Sequence, residues 1–338
     1  MSRIKFCHTY DDIISVENIL KAWEEFIIGK RNRKDVQIFQ KDFMKNIFSL
    51  YESLKTGRYI HGEYEAFNIS DPKPRSIHKA SVRDRLVHHL IYQSLYPFFD
   101  RTFITDSYSC RIDKGTHKAI NRFRKFNYKV SKNNTRTCWV LKCDIRKFFA
   151  SIDHEVLLII LKKYIEDKDI LLLLRKIIRS FYSTKPGKGL PLGNLTSQLL
   201  VNIYMNEFDQ HVKHKLKAKY YIRYADDFVF LSSSKEWLLS LLPKINRFLK
   251  ENLFLNLHPD KLFIKTFASG VDFLGWVHFS KHRVLRTVTK RRVITALNNN
   301  NKIPTLQSYS GLLSHGNEKE LRSRLSHKIY FLLKEVKS

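Results

Sequence analysis

The chain has 338 residues, 43% of them hydrophobic and 13% aromatic, with 61 Lys and Arg against 32 Asp and Glu for a formal net charge of +29. That apolar fraction excludes disorder over the whole length, and at roughly 100–200 residues per domain the length predicts two or three domains or one large enzyme with subdomains. So large a cationic excess repels itself and points to a polyanionic partner, nucleic acid first and an anionic membrane second.

The membrane reading weakens along the chain, because no apolar run approaches the ~18–20 residues of a spanning helix. Met1-Ser2-Arg3-Ile4-Lys5 leads into no apolar stretch of secretory type. Cys7, Cys110, Cys138 and Cys143 form no C-x-x-C pair, so no zinc site and reduced thiols are expected. Residues 11–56 predict helix, with Ile13, Ile14, Leu20, Trp23, Phe26 and Ile27 at three- and four-residue steps and a basic loop at 29–34. Asp71-Pro72-Lys73-Pro74-Arg75 predicts a turn, since two prolines block helix. Helix is predicted over 86–99, a strand over 138–143, helices over 155–164 and 169–181, and a loop over 185–189. A helix over 195–212 follows, then strands over 220–223 and 228–231 joined by a tight turn, and a polar loop at 298–301. Strands interleaved with helices indicate an α/β or α+β class.

The most informative segment is Tyr224-Ala225-Asp226-Asp227-Phe228-Val229-Phe230. Adjacent carboxylates between core-forming strands are costly unless a cation compensates them. An acidic hairpin turn is the plain alternative, but the usual Asp-Gly or Asn-Gly is missing. Asp144, at the end of Trp139-Val140-Leu141-Lys142-Cys143, is a third carboxylate of the same kind. A strand-end Asp and a hairpin-turn pair can converge on two Mg²⁺ ions, which want oxygen ligands and keep positions for substrate phosphates. Two such ions, ~3.5–4 Å apart, suit phosphoryl transfer.

At these residues the chain resembles a reverse transcriptase. Asp144-Ile145-Arg146-Lys147-Phe148-Phe149-Ala150-Ser151-Ile152-Asp153 resembles the first catalytic palm motif, and Tyr224-Ala225-Asp226-Asp227 the Tyr-x-Asp-Asp motif. Gly189-Leu190-Pro191-Leu192-Gly193-Asn194-Leu195-Thr196-Ser197-Gln198 resembles the motif between them. Phe273-Leu274-Gly275-Trp276 resembles the primer grip, and the stretch from Arg75 to Arg85 a fingers motif. Leu192-Gly193 followed by Ser197-Gln198 is similar to the reverse transcriptases of diversity-generating retroelements. Group II intron-type and antiviral-defence reverse transcriptases are the alternatives; intron proteins usually add a longer thumb and further segments, whereas the residues after Trp276 suffice for a small thumb.

The resemblance implies a right-hand polymerase: a helical extension over 1–60, fingers over 61–140, a palm over 141–275 with a fingers insertion near 165–188, and a short helical thumb over 276–338. Asp144, Asp226 and Asp227 would be catalytic, holding two Mg²⁺ (with Mn²⁺ as the substitute) together with the main chain of Ile145. Lys73, Arg75, Arg83 and Arg85 would reach the triphosphate or template, although Arg83-Asp84-Arg85 reads equally as a helix-start ion-pair cluster. Phe149 would stack under the deoxyribose and Phe148 join the core. Gly193 would let the backbone approach the incoming pair, with Leu192, Ser197 and Gln198 beside it. Lys261 would donate a proton to pyrophosphate, against a plain surface lysine. Arg283, Arg286, Lys290, Arg291 and Arg292 would neutralise phosphates from a thumb helix. Implied partners are dNTPs, a template-repeat RNA, the cDNA/RNA duplex and a small, basic, oligomeric accessory variability protein. The implied setting is the cytoplasm of a bacterial or phage-infected cell, and the implied outcome is adenine-directed mutagenic retrohoming.

Overall fold

The computed structural model describes residues 4–70, 74–299 and 302–335. Asp71, Pro72 and Lys73 lie outside the described residues, so the predicted turn and the Lys73 assignment are seen only from Pro74 onward. In chain order the elements begin with α1 (Tyr10–Ile14), α2 (Val16–Ile27), α3 (Lys34–Lys41), α4 (Phe43–Lys55), β1 (Glu65–Ile69), β2 (Arg75–Lys79) and α5 (Val82–Asp100). Next come α6 (Thr116–Val130), β3 (Trp139–Asp144), α7 (Phe148–Ser151), α8 (His154–Lys162), α9 (Lys168–Arg179) and α10 (Leu195–His214). β4 (Tyr221–Tyr224), β5 (Asp227–Ser232), α11 (Lys235–Leu253) and β6 (Phe263–Thr266) follow. The chain continues through β7 (Val271–Phe273), β8 (Trp276–His278), β9 (Arg283–Leu285), α12 (Thr287–Asn299), α13 (Ile303–Leu313) and α14 (Lys319–Glu335). Asn298 and Asn299 therefore close a helix, and Asn300 and Asn301, the rest of the predicted polar loop, lie outside the described residues. No helix among the described residues is long and apolar enough to cross a membrane.

Two compact units divide the chain, and neither is a single segment. The first takes Met1–Arg111, Ile145–Lys217 and Pro243–His258; the second takes Ile112–Asp144, Ala218–Leu242 and Pro259–Ser338.

In the first unit, short polar side chains start the helices. Thr9 and Asp12 form a reciprocal capping box on α1, Ser15 caps α2, and Ser81 caps α5, each satisfying N–H groups that lack a helical partner. The apolar stripe of α2 buries Ile19, Ala22, Trp23, Phe26 and Ile27. β1 and β2 pair antiparallel, with Ile69 opposite Arg75. This hairpin was not predicted, because its strands are mostly exposed and show no apolar alternation.

The second unit is built on a four-stranded antiparallel sheet in the order β4-β5-β3-β6. β3 and β5 are buried along most of their length, which explains their nearly continuous apolar sequence. A three-stranded sheet, β7-β8-β9, adjoins the last helices in sequence. A separate core joins Trp276, Leu285, Val293, Leu297, Leu306, Leu313, Leu321 and Leu325. Gly316 is required there: a Cβ would lie 2.0 Å from the Trp276 ring.

Candidate active site

The second unit carries the carboxylates. Register places Asp144 directly opposite Asp227 across β3 and β5, and Tyr224 opposite Asp227 across β4 and β5. Ala225 and Asp226 therefore form a two-residue turn, and Ala225 adopts φ 55°, where glycine is the usual occupant. The fully buried Arg223 donates from Nη1 to the Ala225 carbonyl at 3.1 Å, and Thr116 Oγ1 lies 3.1 Å from the Tyr224 hydroxyl. Strain held by neighbouring hydrogen bonds is a recurrent feature of functional turns.

Each of the two opposed carboxylates meets an ammonium group. Lys261 Nζ donates to both oxygens of Asp144, at 3.0 and 3.1 Å. Lys142 Nζ lies 3.3 Å from Asp227 Oδ2, and Asp227 Oδ1 is buried without a hydrogen-bond partner. Burial pushes Asp227 up to about 6, with Lys142 opposing the shift and the charges of Asp144 and Asp226 adding to it. Among the described residues no three His, Cys, Asp or Glu side chains form a ready-made metal cage. Mg²⁺ seldom uses such cages; one or two carboxylates with waters and substrate phosphates are its common ligands. A crowded carboxylate with an orphaned oxygen, opposite a second carboxylate, fits that demand. Asp144, Asp226 and Asp227 are the side chains that would hold the ions. Ile145 is itself buried, and a main-chain bridge pairs it with Leu257.

The first unit carries the remaining motif residues. Phe148 is buried and Phe149 half-buried, and the Phe149 carbonyl accepts from the Leu190 N–H at 2.9 Å. His154 Nε2 lies 2.7 Å from the Gly189 carbonyl. The Leu192–Asn194 segment is stitched to β2: the His78 N–H donates to the Leu192 carbonyl at 2.9 Å, and Asn194 Nδ2 to the His78 carbonyl at 2.8 Å. Gly193 has φ 103°, and a Cβ there would lie 2.8 Å from Ile77 Cγ2. Close approach by β2 is thus a reason for this glycine beside the one predicted. Leu192 and Gln198 are half-buried and Ser197 is buried. Thr196 Oγ1 meets His88 Nδ1 at 2.7 Å, inside the protein.

Several predicted contacts are corrected by their partners. Arg85 pairs with Asp35 and lies over the Phe26 ring, while Arg83 Nη2 donates to Ser53 Oγ at 2.8 Å and stacks on Tyr59. Both guanidiniums thereby fasten the N-terminal helices to α5 through partners far away in sequence, not through a cluster confined to Arg83-Asp84-Arg85. Arg75 is exposed at the start of β2. Phe273 and Trp276 are buried, so their side chains are core, and between them lies the half-buried Leu274-Gly275 turn, with φ 51° and 87°. Arg283 lies in β9 and Arg286 ahead of α12, not on one helical face. Arg283 donates to the His315 carbonyl and to Asn121 Oδ1, Arg286 pairs with Asp272, and Lys290 lies 3.1 Å from Glu318. Arg291 is exposed and Arg292 half-buried on α12. Sequence reasoning missed Lys142, Arg223 and His78; a single lysine inside an apolar strand was the available signal for the first.

An antiparallel sheet that brings two strand-end carboxylates into register, within a mixed α/β chain, defines a polymerase-palm type of protein. A family model described as reverse transcriptase (RNA-dependent DNA polymerase) matches residues 70–278, and the chain belongs to that family. It is 26% identical over 254 residues to Protein YkfC of Escherichia coli (strain K12), covering 64% of this chain and 65% of that one. It is 24% identical over 326 residues to the putative COX1/OXI3 intron 2 protein of Saccharomyces cerevisiae, covering 77% and 36%. Group II intron-encoded protein LtrA of Lactococcus lactis subsp. cremoris is 25% identical over 184 residues, covering 52% and 29%. The chain thus spans less than two thirds of the length of these relatives. Among solved structures, telomerase from Candida albicans in complex with a TWJ fragment of telomeric RNA is similar with a TM-score of 0.52 at 11% identity, covering 86% and 59%. The fold is that of a reverse transcriptase, in agreement with the predicted class.

Proposed function

We propose that the chain is an RNA-directed DNA polymerase, joining a primer 3′-hydroxyl to the α-phosphate of a deoxynucleoside triphosphate on an RNA template. The register of Asp144 against Asp227, with Asp226 in the adjoining turn, carries this reading. Two Mg²⁺ ions, replaceable by Mn²⁺, would supply charge stabilisation at the attacking and leaving oxygens when bound. Lys261, held at Asp144, is the proton donor for the leaving pyrophosphate. Phe149 limits the sugar, and Arg75 and Arg291 offer exposed charge to phosphate. Asp226→Asn tests the reading: primer extension should fall by orders of magnitude with RNA binding retained, and extension at the wild-type rate would refute it.

The finer assignment is a diversity-generating retroelement enzyme, copying a template-repeat RNA with errors at adenines in the cytoplasm of a bacterial or phage-infected cell. Leu192-Gly193 with Ser197-Gln198 supports it. A small basic oligomeric accessory protein would meet residues 1–60, where Asp11, Asp12, Glu17, Glu24 and Glu25 supply negative charge. Similarity to intron-encoded proteins favours a second reading, a group II intron-type reverse transcriptase. Sequencing cDNA copied from one adenine-containing RNA separates the two: errors concentrated opposite adenine support the first, and an even error spectrum supports the second.

A further inference from the structure

Lys142 stands inside β3 with 8% of its surface exposed. A buried ammonium is costly unless paired and hydrogen-bonded, and its partners are specific. Nζ reaches Asp227 Oδ2 at 3.3 Å and the main-chain carbonyl of Asp272, in β7, at 3.0 Å. The Asp272 carboxylate pairs with Arg286, whose own N–H donates to the Gly275 carbonyl at 3.1 Å. A polar line within the second unit thus runs from Asp227 through Lys142 and Asp272 to Arg286 and the Leu274-Gly275 turn.

We propose that Lys142 is a positioning residue with two effects. It holds Asp227 by Oδ2, which fixes the orientation of that carboxylate opposite Asp144, and it couples the carboxylate turn to the turn ahead of β8. The inference rests on the polymerase reading of the same carboxylates. Removing the ammonium releases Oδ2 and takes a positive charge away from the carboxylates that would hold the ions. A divalent cation should then bind more tightly but in a less defined place. Tighter binding with slower chemistry is the signature of a lost positioning contact, since only interactions stronger in the transition state speed the reaction.

The experiment measures Mn²⁺ binding to the full chain by electron paramagnetic resonance without nucleotide, and separately kcat and KM for dNTP. Lys142→Met should tighten Mn²⁺ at least about threefold, because a like charge near the cation has gone. It should lower kcat at least about tenfold with the dNTP KM moved less than about threefold. Lys142→Arg, which keeps the charge, should stay within about threefold of wild type in every measurement. Lys142→Gln, neutral but able to donate to the Asp272 carbonyl, replaces the methionine variant if that chain fails to melt cooperatively. Unchanged or weaker Mn²⁺ binding in the neutral variants overturns the proposal, as does a kcat loss in Lys142→Arg equal to theirs. Should the wild-type chain extend no primer, the polymerase reading fails, and the Mn²⁺ titration decides the role of Lys142 alone.

Discussion

Replacing Gly193 with alanine probes how the motif between the carboxylates is held. The backbone there has φ 103°, and the new Cβ would stand 2.8 Å from Ile77 Cγ2. Such a conformation costs a non-glycine residue about 1–3 kcal/mol, and overpacking typically adds about 1–3 kcal/mol. The flanking bonds, His78 N–H to the Leu192 carbonyl and Asn194 Nδ2 to the His78 carbonyl, oppose any easy retreat of β2. Gly193→Ala is therefore expected to lose about 2–6 kcal/mol in total, the sum of the two ranges. Ile77→Ala removes Cγ2 and should recover the overpacking share, so the double variant should be better than additive by about 1–3 kcal/mol. Ile77→Val keeps that methyl group and should recover nothing. Urea unfolding followed by tryptophan fluorescence measures the wild type, the three single variants and the two double variants. A Gly193→Ala loss below about 0.5 kcal/mol, or strict additivity with Ile77→Ala, would refute the close approach as the reason for the glycine.

Asp227 makes stability depend on pH. Its carboxyl is raised from 3.8 to about 6 by burial, so the folded chain favours the protonated form and loses that advantage as pH rises from about 4 to 6. In metal-free buffer, the stability gain of Asp227→Asn over wild type should therefore grow over that interval by up to about 3 kcal/mol; a gain independent of pH contradicts it. Arg283→Ala should destabilise the chain by about 1–3 kcal/mol through lost hydrogen bonds to His315 and Asn121. Arg291→Ala should leave stability within about 0.5 kcal/mol and lower the salt dependence of RNA binding by about one unit of slope; denaturation and salt-titrated binding check the pair. Leu192→Gln adds a hydrogen-bonding group that the leucine lacks and should lower misincorporation opposite adenine more than total synthesis, as sequenced cDNA would show.

What was legible in the sequence was chemistry confined to neighbours along the chain. Asp226 and Asp227 stood out because two carboxylates between apolar strands need a reason, and Asp144 because it ended a similar strand. The helices of the first fifty residues were legible because their apolar stripe repeats every turn. The roles of the arginines were not, since a guanidinium is defined by its partner and the partners lie far away in sequence. Asp35 precedes Arg85 by 50 residues and Asn121 precedes Arg283 by 162. The same composition that announced a polyanion partner therefore overstated how many cations face it: Arg83, Arg85, Arg283, Arg286 and Lys290 each hold protein groups together. Lys142 is the extreme case, one more cation by count, yet buried in β3 beside the Asp227 carboxylate. The phosphate contacts proposed for this chain have to be sought among cations left exposed, such as Arg75 and Arg291, which makes the salt dependence of RNA binding by their variants the sharper test of that proposal.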